Sequence, residues 1–249
     1  MSMMKHSLST FLFAALFCAP LLNGCSKNDE GRIETARDFP KAFRPVSPAG
    51  STEFSTEAAR EEAGEARTVM DWADIKAGMT VSDIGAGEGY YTVRLAERVG
   101  AKGRVVAQDI SRDTLKRLGD RITRERWDNV SISEGAIDDP KLPANSFDRV
   151  LMVHMYHEVE EPYALLWRLY PALRKGGQVI VVDRDLPTDQ HGIPPVLLFC
   201  EFEALGFRLM EFAETPDVGA YFARFERSKA RPSPKDIKSC AIKNKNEVN

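Results

Sequence analysis

Val81-Ser82-Asp83-Ile84-Gly85-Ala86-Gly87-Glu88-Gly89 carries a strand-like run directly into a turn with three alternating glycines. The run begins at Met79, and beyond the glycines Tyr91, Leu95, Ala96 and Val99 recur at helical spacing until Gly100. Downstream the alternation repeats. Arg104 to Gln108 is a second strand closed by Asp109, and Ser111 opens a helix with Leu115, Leu118 and Ile122 on one face. Val130 to Ser133 and Phe147 to His154 read as strands three and four. Tyr163 to Leu173 reads as a helix followed by Gly176-Gly177, and Gln178 to Asp183 as strand five. Upstream, Ser55 can cap a helix running to about Trp72, with Gly78 as its break. Each helix must carry the chain back across the sheet, so the strands pair in parallel and the fold is α/β, doubly wound. After Pro194-Pro195 a helix reaches Leu205, with Gly206 as its stop. Phe207 to Phe212 and Tyr221 to Phe225 are then joined by a loop too short for a crossover, which predicts an antiparallel C-terminal hairpin completing seven strands.

In such sheets ligands bind outside the carboxyl ends of the strands. The glycines let the backbone turn sharply and approach a ligand with no Cβ between them, and a helix N-terminus with free N–H groups stands behind. Asp109, twenty residues after Gly89, can accept both hydroxyls of a ribose. A dinucleotide fingerprint needs Gly-x-Gly-x-x-Gly, but its last position here is Tyr90. Glu88 would also sit badly beside a pyrophosphate, whereas a ligand bearing an ammonium and a sulfonium tolerates acid there.

The stretch Val81 to Gly89 resembles the first motif of class I S-adenosylmethionine-dependent methyltransferases. Four further stretches resemble that family in order: Arg104 to Ile110, Leu142-Pro143-Ala144-Asn145-Ser146-Phe147-Asp148-Arg149-Val150, Tyr156-His157-Glu158-Val159, and Leu173-Arg174-Lys175-Gly176-Gly177. The resemblance implies a Rossmann-like sheet over roughly residues 60–226 and S-adenosylmethionine as cofactor. Gly85, Gly87 and Gly89 would line its methionine end, Asp83 would orient that loop and the amino group, Asp109 would hold the ribose, and Ile110 would pack on adenine. Many relatives have Gly-Asp-Ala after strand three, where this chain reads Gly135-Ala136-Ile137-Asp138-Asp139. Asp138 or Asp139 replaces that acid, or the adenine amino group meets backbone only.

Methyl transfer needs an aligned acceptor and, where the acceptor carries a proton, a base. His157 with Glu158 beside it is the first choice for that base, a purely loop-shaping His157 the alternative. His191 stands in a turn that could form a lid. No third ligand accompanies His154-x-x-His157, so no metal site is expected. Cys200, among Leu197, Leu198, Phe199 and Phe202, reads as core; a bridge to Cys240 is the alternative in an oxidising compartment, disfavoured by the disordered tail expected there.

The termini have another character. Lys5 and His6 precede an apolar run from Leu8 to Leu22, and no charge follows until Lys27. Its fifteen residues fall short of the roughly 20 of a spanning helix but suit a signal peptide. Leu22-Asn23-Gly24-Cys25-Ser26 resembles a bacterial lipobox, which implies acylation of Cys25 and an exported, membrane-anchored protein facing the periplasm, although Asn23 departs from the usual small residue. A downstream start would instead leave the enzyme cytoplasmic. Residues 1–24 are thus expected as signal peptide, 25–54 as tether, 55–227 as the methyltransferase domain and 228–249 as a disordered basic tail. The net charge of -3 combines that basic tail with an acidic body, which disfavours a nucleic acid partner for the folded part. The partner expected is a small-molecule or lipid-like acceptor; a tethered binding protein that keeps the fold without transfer is the alternative.

Overall fold

Seven strands form one sheet in the order β3-β2-β1-β4-β5-β7-β6 in the computed structural model, which describes residues 31–48, 56–215 and 219–241. The expected signal peptide and Cys25 lie outside the described residues. β1 (Thr80–Ile84), β2 (Arg104–Asp109), β3 (Val130–Glu134), β4 (Phe147–Val153) and β5 (Leu173–Asp183) are parallel. β6 (Phe207–Thr215) and β7 (Ala220–Arg227) form the expected antiparallel hairpin, with β7 inserted against β5. β4 and β5 are apolar on both faces, as central strands between two helical layers must be: Val150, Leu151 and Met152, and Val179 to Val182, are fully buried. α5 (Pro162–Leu169) and α6 (Pro195–Ala204) contribute to one core cluster, α2 (Glu65–Trp72) and α3 (Tyr90–Val99) to another. α4 (Arg112–Glu125) covers the far edge, its first turn capped by Ser111, whose hydroxyl accepts from Thr114 N–H. In register, Ile84 lies opposite Gln108 and Met152, and Asp109 opposite Glu134, which brings the carboxyl ends of the parallel strands to one edge.

Three expectations about the chain's organisation need correction. The helix expected from Ser55 to Trp72 is two helices, α1 (Glu57–Glu62), capped by Thr56, and α2, because Gly64 adopts a left-handed conformation at φ 64°. Residues 32–48, expected as tether, form a strap packed on the domain. Ala36, Phe39 and Ala42 are buried, Arg32 pairs with Glu161 at 2.6 Å, and Arg44 pairs with Glu201 at 2.9 Å. The described part of the basic tail, residues 228–241, is likewise packed on the domain: Ile237 and Cys240 are buried and Arg231 lies 3.4 Å over the Trp167 ring. Cys200 is on the exposed side of α6 and is bonded to Cys240, so a covalent staple holds a segment too polar to attach by apolar burial alone. The two arms meet on α5, where Phe39 packs edge-on to Trp167 at 5.6 Å and the Trp167 indole N–H donates to Pro232 O. No helix among the described residues is long and apolar enough to cross a membrane.

Candidate active site

At the end of β1 the three glycines take φ values of 68°, 56° and 90°. At Gly89 a Cβ would lie 2.4 Å from Leu118 Cδ1, so this glycine lets α4 approach. At Gly87 nothing lies within 4 Å of where a Cβ would stand, so here bare backbone faces open space. Gly87 N–H donates to Asp109 Oδ2 at 3.0 Å, and Ser111 N–H to Asp109 Oδ1 at 2.9 Å. Asp109 therefore ties the loop to the cap of α4, and each carboxylate oxygen keeps a second acceptor position for a ligand hydroxyl.

Asp83 is buried behind this loop and accepts from Thr92 Oγ1 at 2.6 Å, pinning β1 to the first turn of α3. Burial pushes its carboxyl up to about 6 against the downward pull of Thr92 and Arg60. Ile110 is exposed at the rim just beyond Asp109. Asp138 is taken up elsewhere: its carboxylate accepts from Thr35 Oγ1 at 2.7 Å and from Arg168, joining strap, β3–β4 connection and α5. Asp139 accepts from Lys141 N–H at 2.8 Å within its own turn. Of the alternatives for the adenine amino group, the structure thus engages Asp138 in an internal ion pair.

α1 and α2 lie against the helix that follows the glycines. Tyr90 and Tyr91 donate their hydroxyls to Glu61 and Glu65 at 2.9 and 3.0 Å, and Arg60 lies 3.9 Å over the Tyr90 ring. Burial alone would raise the Glu65 carboxyl, but hydrogen bonds from His154 and Arg60 hold it at about 2. His154, at the end of β4, is itself in the left-handed region at φ 53°.

A second cluster, the candidate acceptor side, is formed by the 3-10 turn Tyr156–Glu158, the end of β5 and the strap. His157 is fully buried, and its Nδ1 lies 2.9 and 3.0 Å from the two carboxylate oxygens of Asp183, which closes β5. The partner that orients His157 is therefore Asp183 and not Glu158, whose Oε1 lies 4.0 Å from Nε2. The His191 ring stands edge-on to His157 at 5.7 Å. Arg44, Glu201 and Tyr156 close the site from the strap side, with Tyr156 donating its hydroxyl to Glu201 at 2.8 Å. Arg44 fell within the expected tether and escaped the sequence reading. Glu201 carried a usable signal: an acid on the apolar face of α6, between Leu198 and Phe202, requires a buried cation or donor. No group of three metal-ligating side chains occurs among the described residues.

Residues 81–177 match the family model described as a methyltransferase domain. Over those residues the chain is similar to a methyltransferase domain. Among curated relatives, the demethylmenaquinone methyltransferase of Listeria monocytogenes is 27% identical over 154 residues, 62% of this chain and 63% of that one. The ubiquinone/menaquinone biosynthesis C-methyltransferase UbiE of Methylococcus capsulatus is 34% identical over 119 residues, 47% of this chain and 48% of that one. The chain thus spans less than two thirds of the length of these relatives. Among solved structures, a SAM-dependent methyltransferase from Aquifex aeolicus superposes with a TM-score of 0.62 at 23% identity, covering 67% of this chain and 92% of that one. The [4+2]-cyclase SpnF gives 0.59 at 14% identity, covering 78% and 91%. The methyltransferase fold is common to all of this, and the fold by itself leaves the chemistry to the site.

Proposed function

We propose that this chain transfers a methyl group from S-adenosylmethionine to a lipid-like acceptor of the quinone class that the names of the curated relatives print, taken in its reduced form, which has a proton to give up. The observation that carries the reading is the pairing of Gly87 with Asp109: open space over a bare backbone, 3.0 Å from a carboxylate at the next strand end. The cradle fits the cofactor. Gly85, Gly87 and Gly89 would line its methionine end, Asp83 would answer the ammonium, Asp109 would take the ribose hydroxyls and Ile110 would cover adenine. Asp139 or backbone would meet the adenine amino group. When bound, S-adenosylmethionine supplies an electrophilic methyl group on a sulfonium.

His157 would accept the acceptor's proton. With its Nδ1–H donating to Asp183, the basic nitrogen is Nε2, and the carboxylate stabilises the imidazolium that forms. Glu158 stands near enough to Nε2 to take part. Because His157 is enclosed, the acceptor enters during a local opening, and transfer takes place with the strap seated again.

Calorimetric titration of the full chain with S-adenosylmethionine tests the cofactor, and labelled-methyl transfer to demethylmenaquinol tests the acceptor. Asp109→Ala should weaken cofactor binding by about tenfold or more, the value of a lost charged hydrogen bond; unchanged affinity would refute the ribose assignment. Absence of heat at millimolar cofactor would refute the reading as a whole.

A second reading, a tethered binding protein that retains the fold without transfer, draws support from the Cys200–Cys240 disulfide. Disulfides of this kind belong to oxidising compartments, as the expected lipobox and export to the periplasm do, whereas the cofactor is made in the cytoplasm. Binding without methyl transfer would favour this reading. A native N-terminal peptide acylated at Cys25 would establish the membrane anchor; an unmodified peptide across residues 20–30 would rule it out.

A further inference from the structure

Arg44 and Ser47 are three residues apart on the strap, and each reaches one of the two elements that carry an imidazole into the acceptor side. Arg44 Nη1 and Nη2 lie 3.5 Å from the carbonyl oxygens of His157 and Tyr156, while its Nε donates to Glu201 Oε1 at 2.9 Å. The other oxygen of Glu201 accepts the Tyr156 hydroxyl, so the turn bearing His157 is held by its backbone through Arg44 and by its leading side chain through Glu201. Ser47 does the same for the 184–193 loop: its hydroxyl donates to Thr188 O at 2.9 Å and accepts from His191 N–H at 2.9 Å.

These contacts are not required merely to attach the strap. Arg32 on Glu161, Thr35 on Asp138 and buried Phe39 already fix its first half to α5 and the β3–β4 connection. The Arg44 and Glu201 side chains are only 3% and 1% exposed, and burying such a pair costs desolvation that an apolar pair would avoid. What a guanidinium adds over an apolar side chain is direction, since several N–H groups in a rigid plane bind one carboxylate and two carbonyls at once.

We propose that Arg44 and Ser47 are positioning residues for methyl transfer. They hold the turn bearing His157 and the loop bearing His191 at a fixed separation, so the acceptor side is assembled only with residues 43–48 seated. This rests on His157 acting as the base.

The test uses the full chain labelled in its imidazoles. There are only four histidines, so His157→Gln and His191→Gln assign the two ring signals by NMR. Arg44→Ala and Ser47→Ala are expected to move or broaden both signals and to shift the pH profile of kcat. They should also lower kcat on demethylmenaquinol roughly tenfold or more, as displacement of a catalytic group does, with S-adenosylmethionine affinity kept within about twofold. Arg44→Lys should recover part of kcat. Arg208→Ala, which breaks an exposed pair with Glu226, serves as the control that moves neither ring. Ser47→Ala deletes a single hydroxyl and carries the test alone should Arg44→Ala not fold. Wild-type ring signals and wild-type kcat in a folded Arg44→Ala or Ser47→Ala protein would overturn the proposal. Failure of the wild type to bind cofactor or transfer methyl would instead overturn the methyltransferase reading, while the ring signals still report whether the strap positions the imidazoles.

Discussion

Asp83→Asn should make the protein more stable and a poorer ligand of its cofactor. The Asp83 carboxyl is buried under the glycine loop with hydrogen bonds only from Thr92, through its hydroxyl and its backbone N–H, and burial lifts it from 3.8 to about 6. That difference corresponds to about 3 kcal/mol. The sign follows from which state holds the proton more tightly. Below about pH 4 both folded and unfolded chains are protonated and nothing is lost. Between about 4 and 6 the unfolded chain gives up its proton first, so stability falls as pH rises. Above about 6 the deficit is constant. An asparagine has the same shape, stays neutral, and its amide oxygen can still accept from Thr92 Oγ1–H. The variant should therefore gain about 2–3 kcal/mol over wild type at pH 7.5 and almost nothing at pH 4. Urea denaturation at those two pH values measures it. A variant no more stable than wild type at pH 7.5 would show that Asp83 is not carrying a desolvation cost, and the argument that it awaits a cationic group would fail with it. Weaker binding of S-adenosylmethionine by the stabilised variant would complete the trade-off between stability and function.

Glu65 gives the opposite pH dependence. Despite its burial, His154 and Arg60 hold its carboxyl at about 2, so its contribution is present above about 4.5 and lost as pH falls toward 2. Glu65→Gln should cost on the order of 2–3 kcal/mol at neutral pH and flatten the acid limb of a melting-temperature profile; an unchanged acid limb would contradict the assignment. Cys200→Ser or Cys240→Ser opens a loop with a sequence separation of 40, for which chain entropy gives about 4 kcal/mol. Thermal melting with and without reductant reads the loss, and melting insensitive to both the substitution and the reductant would show that the bridge does not form in solution.

The alternation of β-branched runs with helical stripes made the order of β1 to β7 readable, because central parallel strands must be apolar on both faces and their crossovers amphipathic. The glycine loop and Asp109 were readable for a related reason: bare backbone at a strand end is specified by residue type alone. The arms were not. Ala36, Phe39 and Ala42 match neither a strand's period of two nor a sustained helical stripe, and Ile237 and Cys240 stand among lysines and prolines. Their attachment comes from Arg32, Arg44, Ser47 and a disulfide, contacts made with partners more than a hundred residues away in the strap and 40 away at the bridge. The same reason hid Asp183 as the partner of His157 and the pairing of Asp138 with Arg168. A side chain's neighbours across the sheet leave no trace in its own local pattern.

The sheet is unequally supported. Around β4 and β5 the strap, the C-terminal arm, α5 and α6 enclose a large apolar cluster. At the other end β3 is a poorly covered edge whose Ile132 is 40% exposed, and the small cluster beside it holds only Ala86, Ala107, Leu115 and Leu118 as buried members. Backbone amides of β2, β3 and α4 should consequently exchange with solvent through cheap local openings, while those of β4 and β5 exchange only when the whole domain unfolds. The glycine loop and Asp109 belong to the compliant end. A ligand seated there would take up ordering free energy where the fold has left it unspent, and its arrival would be written as slowed exchange across β2 and α4 with little change in the acceptor half.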